Sequence, residues 1–112
     1  MKTFPISNYG FNYDCFITLS SYNNNNNMAI ILDTETDGQY GVASVNFDKL
    51  DRGYAYLNTN NLPGIDKVFE DLGFAEFTGI KCKSGWVEYP LYKFDFDKMK
   101  EYVSPVSDYF FE

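Results

Sequence analysis

A chain of 112 residues, 45% hydrophobic and 20% aromatic, is long enough to build one core and too short for a second, so residues 1–112 read as a single domain. Sixteen acidic side chains against nine basic ones leave a formal charge of −7, which repels a bare phosphate backbone, weighs against direct nucleic-acid binding and favours a basic protein partner. Histidine is absent, which removes the commonest general base and the commonest zinc ligand; no catalytic residue, metal site or cofactor is expected.

The first ten residues carry one lysine and no apolar run behind it, and do not read as a secretory signal. From Phe11 to Ser20 the apolar residues Phe11, Tyr13, Cys15, Ile17 and Leu19 alternate with Asn12, Asp14, Thr18 and Ser20, the pattern of a half-buried strand. Asn23 to Asn27 is an unbroken asparagine run; such side chains bond their own backbone and tolerate positive φ, so a loop follows. Met28–Leu32 is a short apolar run closed by the polar turn Glu35-Thr36-Asp37-Gly38, and Tyr40–Phe47 returns to strand composition, which predicts an antiparallel meander.

Tyr54–Leu57 is a brief strand. Beyond it Asn60 or Asn61 is placed to cap a helix with Pro63 in its first turn, and Ile65, Val68, Phe69 and Leu72 fall at the spacing of one apolar stripe. Gly73 suits a left-handed C′ position, with Phe74 next to it opposite Phe69, as a Schellman ending requires. Phe77–Cys82 and Trp86–Phe94 predict two strands around a Ser84-Gly85 turn, the second pushed to an edge or bulge by Pro90. Asp95 or Asp97 then caps a short helix carrying Phe96, Met99 and Val103, ended by Pro105. The expected fold is α+β: a mainly antiparallel sheet of five or six strands, one well-capped helix on one face and a short C-terminal helix. Ile65, Phe69 and Leu72 are expected to pack on the row from Phe11 to Leu19. No run of about 18 apolar residues is present to span a bilayer. Two cysteines without a CxxC pair point to reduced thiols and a cytoplasmic setting.

Few segments carry chemistry. Asp33-Thr-Glu35-Thr-Asp37-Gly38 resembles the start of an EF-hand loop, but its twelfth position is Ser44 where a bidentate glutamate is needed; the segment reads as an acidic hairpin turn. Cys82 sits between Lys81 and Lys83, but strand alternation turns both lysines away from it and groups it with Ile80 as a small buried hydrophobe. Cys15, inside the apolar row, reads as inert. Ten tyrosines exceed what so small a core requires, so some belong to a contact surface.

Several strings carry a resemblance: Ser21-Tyr22-Asn23-Asn24 with Met28-Ala29-Ile30, Leu57 through Leu62-Pro63, Thr78-Gly79, and Ser84-Gly85-Trp86-Val87-Glu88-Tyr89-Pro90-Leu91-Tyr92-Lys93-Phe94. Together they resemble a family of small acidic proteins of unknown function encoded on plasmids, conjugative elements and phages of Gram-positive gut bacteria. The resemblance implies a mobile-element setting and carries over no catalytic residues. By analogy, type II anti-CRISPR inhibitors are similar in size and acidity. The function expected is therefore inhibition of a host nucleic-acid-handling enzyme, with Cas9, or its guide-free form, the leading partner, by an acidic surface that competes for guide RNA or DNA. The contact set would be Asp33, Glu35, Asp37, Asp48, Asp51, Asp108 and Glu112 at sites otherwise held by phosphates, with Tyr109 and Phe110 as aromatic anchors. The alternative is a non-enzymatic interaction module of a conjugative element, oligomerising through an exposed sheet edge.

Overall fold

The computed structural model describes residues 1–8 and 10–111. In chain order they form β1 (Phe4–Asn8), β2 (Phe11–Ser21), β3 (Met28–Thr34), β4 (Gly38–Val42), β5 (Ser44–Val45), β6 (Tyr54–Leu57), α1 (Ile65–Asp71), β7 (Ala75–Ser84), β8 (Val87–Phe94), α2 (Phe96–Met99) and α3 (Asp108–Phe111). The class is α+β, but the strands divide into two antiparallel four-stranded sheets, ordered β1-β2-β3-β4 and β5-β6-β8-β7, in place of the single sheet of five or six strands expected.

The division falls at one residue. Tyr40–Phe47 reads as a single strand, yet Ala43, fully buried, separates β4 from β5. Its N–H donates to the Ile30 carbonyl at 2.8 Å and its carbonyl accepts from the Asn58 N–H at 2.8 Å, so it is bonded into both sheets. The Ile30 N–H donates to Ser44 Oγ at 2.9 Å, a side chain standing in for a ladder carbonyl. The chain thus switches sheets as a corner does, and the two inner faces share one core.

β1 escaped the sequence reading because a five-residue strand with a proline in it looks like a breaker. It is an edge strand, where a missing N–H is tolerated. Phe4 and Ile6 turn inward, Pro5 and Ser7 outward, and the register Phe4↔Cys15 to Asn8↔Phe11 sets it against β2.

α1 ends as the sequence requires. Gly73 has φ +77°, its N–H donates to the Glu70 carbonyl at 3.0 Å, and the Phe74 N–H donates to the Phe69 carbonyl at 2.9 Å, the pair of bonds that defines a Schellman ending. The start differs. The cap is Gly64, at φ 86° with no side-chain bond, and neither Asn60 nor Asn61 serves; Pro63 lies before the helix. The docking also differs. Phe69 meets Phe4 of β1, Phe74 and Phe94 of β8 at centroid distances of 6.3, 5.9 and 5.8 Å, so α1 ties the outer strand of one sheet to the other sheet. Cys15, Ile17 and Leu19 join that core, but Phe11 is 67% exposed and stands outside it.

Asp95 caps α2, accepting from the N–H groups of Asp97 and Lys98 at 3.1 and 3.3 Å. After a 3-10 turn at 100–102, Val103 makes a parallel bridge to Ile17, and the Ser104 N–H donates to the Ile17 carbonyl at 2.7 Å. Pro105 opens a second 3-10 turn and does not end a helix, as proline at a first helical position favours. Ser107 Oγ then accepts from the Leu19 N–H at 2.8 Å. This segment covers the part of the β2 edge that β1 is too short to pair, which removes an exposed edge. Arg52 holds its end, with the guanidinium 4.4 Å over the Phe110 ring and an N–H donated to the Phe110 carbonyl.

Candidate protein-binding surfaces

The sequence-derived contact set does not come together. Asp33, Glu35 and Asp37 lie on the β3–β4 turn, which Thr34 folds: its Oγ1 accepts from the Asp37 N–H at 2.9 Å and donates to the Gly38 carbonyl at 2.8 Å. Glu35 and Asp37 are exposed; Asp33 is half-buried and accepts from Thr18 Oγ1 of β2 at 2.7 Å. Asp48 and Asp51 belong to the β5–β6 loop at the other end of β3, about 20 Å away along the seven-residue strand. Asp108 is exposed at the start of α3, the segment gripped by Arg52 and not the β3–β4 turn. Phe110 is 7% exposed, packed against Phe96 at 5.9 Å and beneath Arg52, which rules it out as a surface anchor: the Arg52 grip needs the ring inside. The Tyr109 side chain and Glu112 lie outside the described residues.

What the fold adds to the acidic turn is Asp14. The register Cys15↔Thr34 carries Asp14 alongside the turn, and a cleft of about 410 Å³ is lined by Phe11, Tyr13, Asp14, Glu35 and Asp37 among others. A second cleft of about 630 Å³ continues past Phe11 and Tyr13 to Gln39 and Tyr40, where the Tyr13 and Tyr40 rings lie 5.1 Å apart. Among the described residues the one ion pair is Lys2–Glu101 at 2.7 Å, so no cation neutralises Asp14, Glu35 or Asp37. The strand pairing is the signal that could have found Asp14; alternation alone marks it only as an outward polar residue.

A second surface lies on the β7–β8 hairpin. β8 pairs with β6 only through Leu91 to Lys93, so from Lys81↔Pro90 to the tip the hairpin is a two-stranded ribbon. Trp86 at its tip is 98% exposed, Ile80 56% and Phe77 41%. The expectation that Cys82 and Ile80 share a buried face fails because the ladder shifts register between Phe77 and Lys81, around Gly79 at φ +88°. Cys82 is half-buried, and Lys81 and Lys83 are exposed. The expected turn at Ser84-Gly85 with Trp86 opening the next strand shifts by one residue: Ser84 pairs with Val87, and a two-residue loop puts Gly85 and Trp86 outside the ladder.

Cys15 is fully buried, and burial, followed by the carboxylates of Asp14 and Asp33, pushes its thiol up to about 11, well above the range of a reactive thiolate. Among the described residues no group of three or more Cys, Asp or Glu side chains is placed to hold a metal ion, and no helix is long and apolar enough to cross a membrane. A family model described as a domain of unknown function, DUF4313, matches residues 16–111. No curated protein and no solved structure matches the chain.

Proposed function

The chain belongs to the DUF4313 family of domains of unknown function, and from that premise we propose that it is a non-enzymatic inhibitor of a host nucleic-acid-handling enzyme, with Cas9 the target. The observation that carries this reading is the un-neutralised carboxylate group Asp14, Glu35 and Asp37 set beside the exposed Phe11 and the Tyr13–Tyr40 pair. Carboxylates on a turn folded by Thr34 present negative charge to lysines and arginines that otherwise hold guide RNA or DNA, while aromatic faces beside them supply contact area that slows release. Phe11 and Tyr13 take the anchoring role that Phe110, being buried, does not fill.

Purified chain is titrated against Cas9 with and without guide RNA, reading binding and cleavage. Binding that weakens as salt rises is expected, since exposed pairs are screened beyond about 10 Å at 0.1 M. Glu35→Lys with Asp37→Lys lowers the association rate by about tenfold or more, whereas Phe11→Ala raises the dissociation rate. Pre-loading the guide protects the enzyme if the guide channel is the site. No binding at micromolar concentration, with or without guide, removes Cas9 as the target. A second reading, an interaction module of a conjugative element, is favoured by the Trp86 hairpin; it predicts co-purification with element-encoded proteins.

A further inference from the structure

The β7–β8 ribbon and the acidic cleft are complementary to each other, and we infer that the Trp86 hairpin tip of one copy docks in the Asp14–Glu35–Asp37 cleft of a second copy. The ribbon carries Ile80 on β7 and Trp86 in its tip loop, both exposed, and between Leu91 and the tip no third strand pairs with it, an arrangement that is marginal in water unless something covers it. Lys81 and Lys83 flank the tip, are exposed, and make no ion pair among the described residues. The opposite attributes lie in two adjoining hollows: one of about 410 Å³ lined by Asp14, Glu35 and Asp37, which have no cation, and one of about 630 Å³ that brings in Tyr40, the two sharing Phe11, Tyr13 and Asp37.

The ribbon cannot reach the cleft of its own chain. Tyr89 lies 5.5 Å from Phe47, whose carbonyl accepts from Asn25 in the β2–β3 loop; this puts the ribbon at the end of β3 opposite the acidic turn. Pairing of two β7 edges is disfavoured, because a register shift at Gly79 and two lysines interrupt that edge, the usual devices against strand-to-strand association. The tip is what remains to dock. Head-to-tail contact between different patches is heterologous, so it closes into a ring or extends. A net charge of −7 on each copy does not prevent it, because at physiological salt charges more than about 8 Å apart are screened and the local pairs decide.

This inference uses the same cleft as the proposed inhibition but not its nuclease target, so each can fail alone. The test is sedimentation of the full chain. At low salt the average mass should rise from 13.0 kDa to at least double, between about 10 µM and 1 mM, the range a small interface supports. It should fall back when salt is raised. Trp86→Ala should weaken association by at least about tenfold without loss of folding, since a fully exposed side chain supports no core. Lys81→Glu with Lys83→Glu, and separately Glu35→Lys with Asp37→Lys, should each give monomers, and an equimolar mixture of the two double variants should associate again. A chain that stays monomeric throughout, association indifferent to Trp86→Ala, or a mixture that fails to associate overturns the inference. Cas9 binding by Trp86→Ala, which leaves the cleft intact, reports on the inhibitor reading separately.

Discussion

Asn27 holds more than any other member of the asparagine run. It is buried, its Nδ2 donates to Asn46 Oδ1 at 3.1 Å and to the Asp48 carbonyl at 2.9 Å, and its Oδ1 accepts from the Leu50 N–H at 2.8 Å. One amide therefore fixes the whole start of the β5–β6 loop, and Asn25 adds a bond to the Phe47 carbonyl. Asn27→Ala should cost at least about 2 kcal/mol, because it strands buried donors and acceptors, whereas Asn23→Ala at an exposed position should stay within about 0.5 kcal/mol. Urea unfolding measures both. Cys15 gives a pH prediction. Its thiol ionises near 9.0 when unfolded and near 11 when folded, so the native chain keeps its proton longer. That contribution to stability is complete below pH 9 and is lost as pH rises from 9 to 11. Burial, with the Glu70 carboxylate, raises the Tyr92 hydroxyl as well, which adds a loss of the same sign at higher pH. The melting temperature should fall through this window, less steeply in Cys15→Ala. Native-state alkylation at pH 8 should label Cys82 and spare Cys15 until the chain unfolds.

Among the elements, α1 was the most legible and its partner the least. The stripe of Ile65, Phe69 and Leu72 and the Gly73-Phe74 ending are local features, written within ten residues. What they pack on depends on β1, which the sequence reading lacked, so Phe4 could not be named as the ring that Phe69 meets. Phe69→Ala should cost about 3 to 5 kcal/mol, the range for a fully buried phenylalanine. Gly73→Ala should cost about 1 to 2 kcal/mol: no atom lies within 4 Å of an added Cβ, so the only penalty is the left-handed backbone. Denaturant midpoints at unchanged slope separate the two. A Phe69→Ala loss below about 1 kcal/mol would show that α1 is not docked through this stripe.

At the scale of the molecule, the C-terminal segment acts as a cover for β2. Its grip is Arg52 on Phe110 and its contacts with the edge are Ser104 and Ser107 against Ile17 and Leu19. Arg52→Ala should loosen the segment and speed hydrogen exchange at the Leu19 and Ser104 amides several-fold, while the Ile30 amide, bonded to Ser44 Oγ within the core, keeps its protection. Equal rates in variant and parent would show that Arg52 does not hold the cover. The acidic surface is also a property at this scale. Charge composition announces −7, but the length of β3 keeps Asp48 and Asp51 from joining Glu35 and Asp37, and the cross-strand register brings in Asp14.

The sequence by itself determined the α+β class, the strands β2, β3, β6 and β8 to within a few residues, the Schellman ending of α1, an aspartate cap of α2 at either Asp95 or Asp97, and the inertness of Cys15. All of these follow from periodicity, turn chemistry or a single local bond, which neighbouring residues suffice to set. Only the tertiary structure decided that the strands form two sheets through Ala43, that Phe110 is covered, that Asp14 belongs with the acidic turn and that Trp86 stands free. Each depends on which residues distant in the chain become neighbours, and that is settled by strand register and by competition for burial across the whole core.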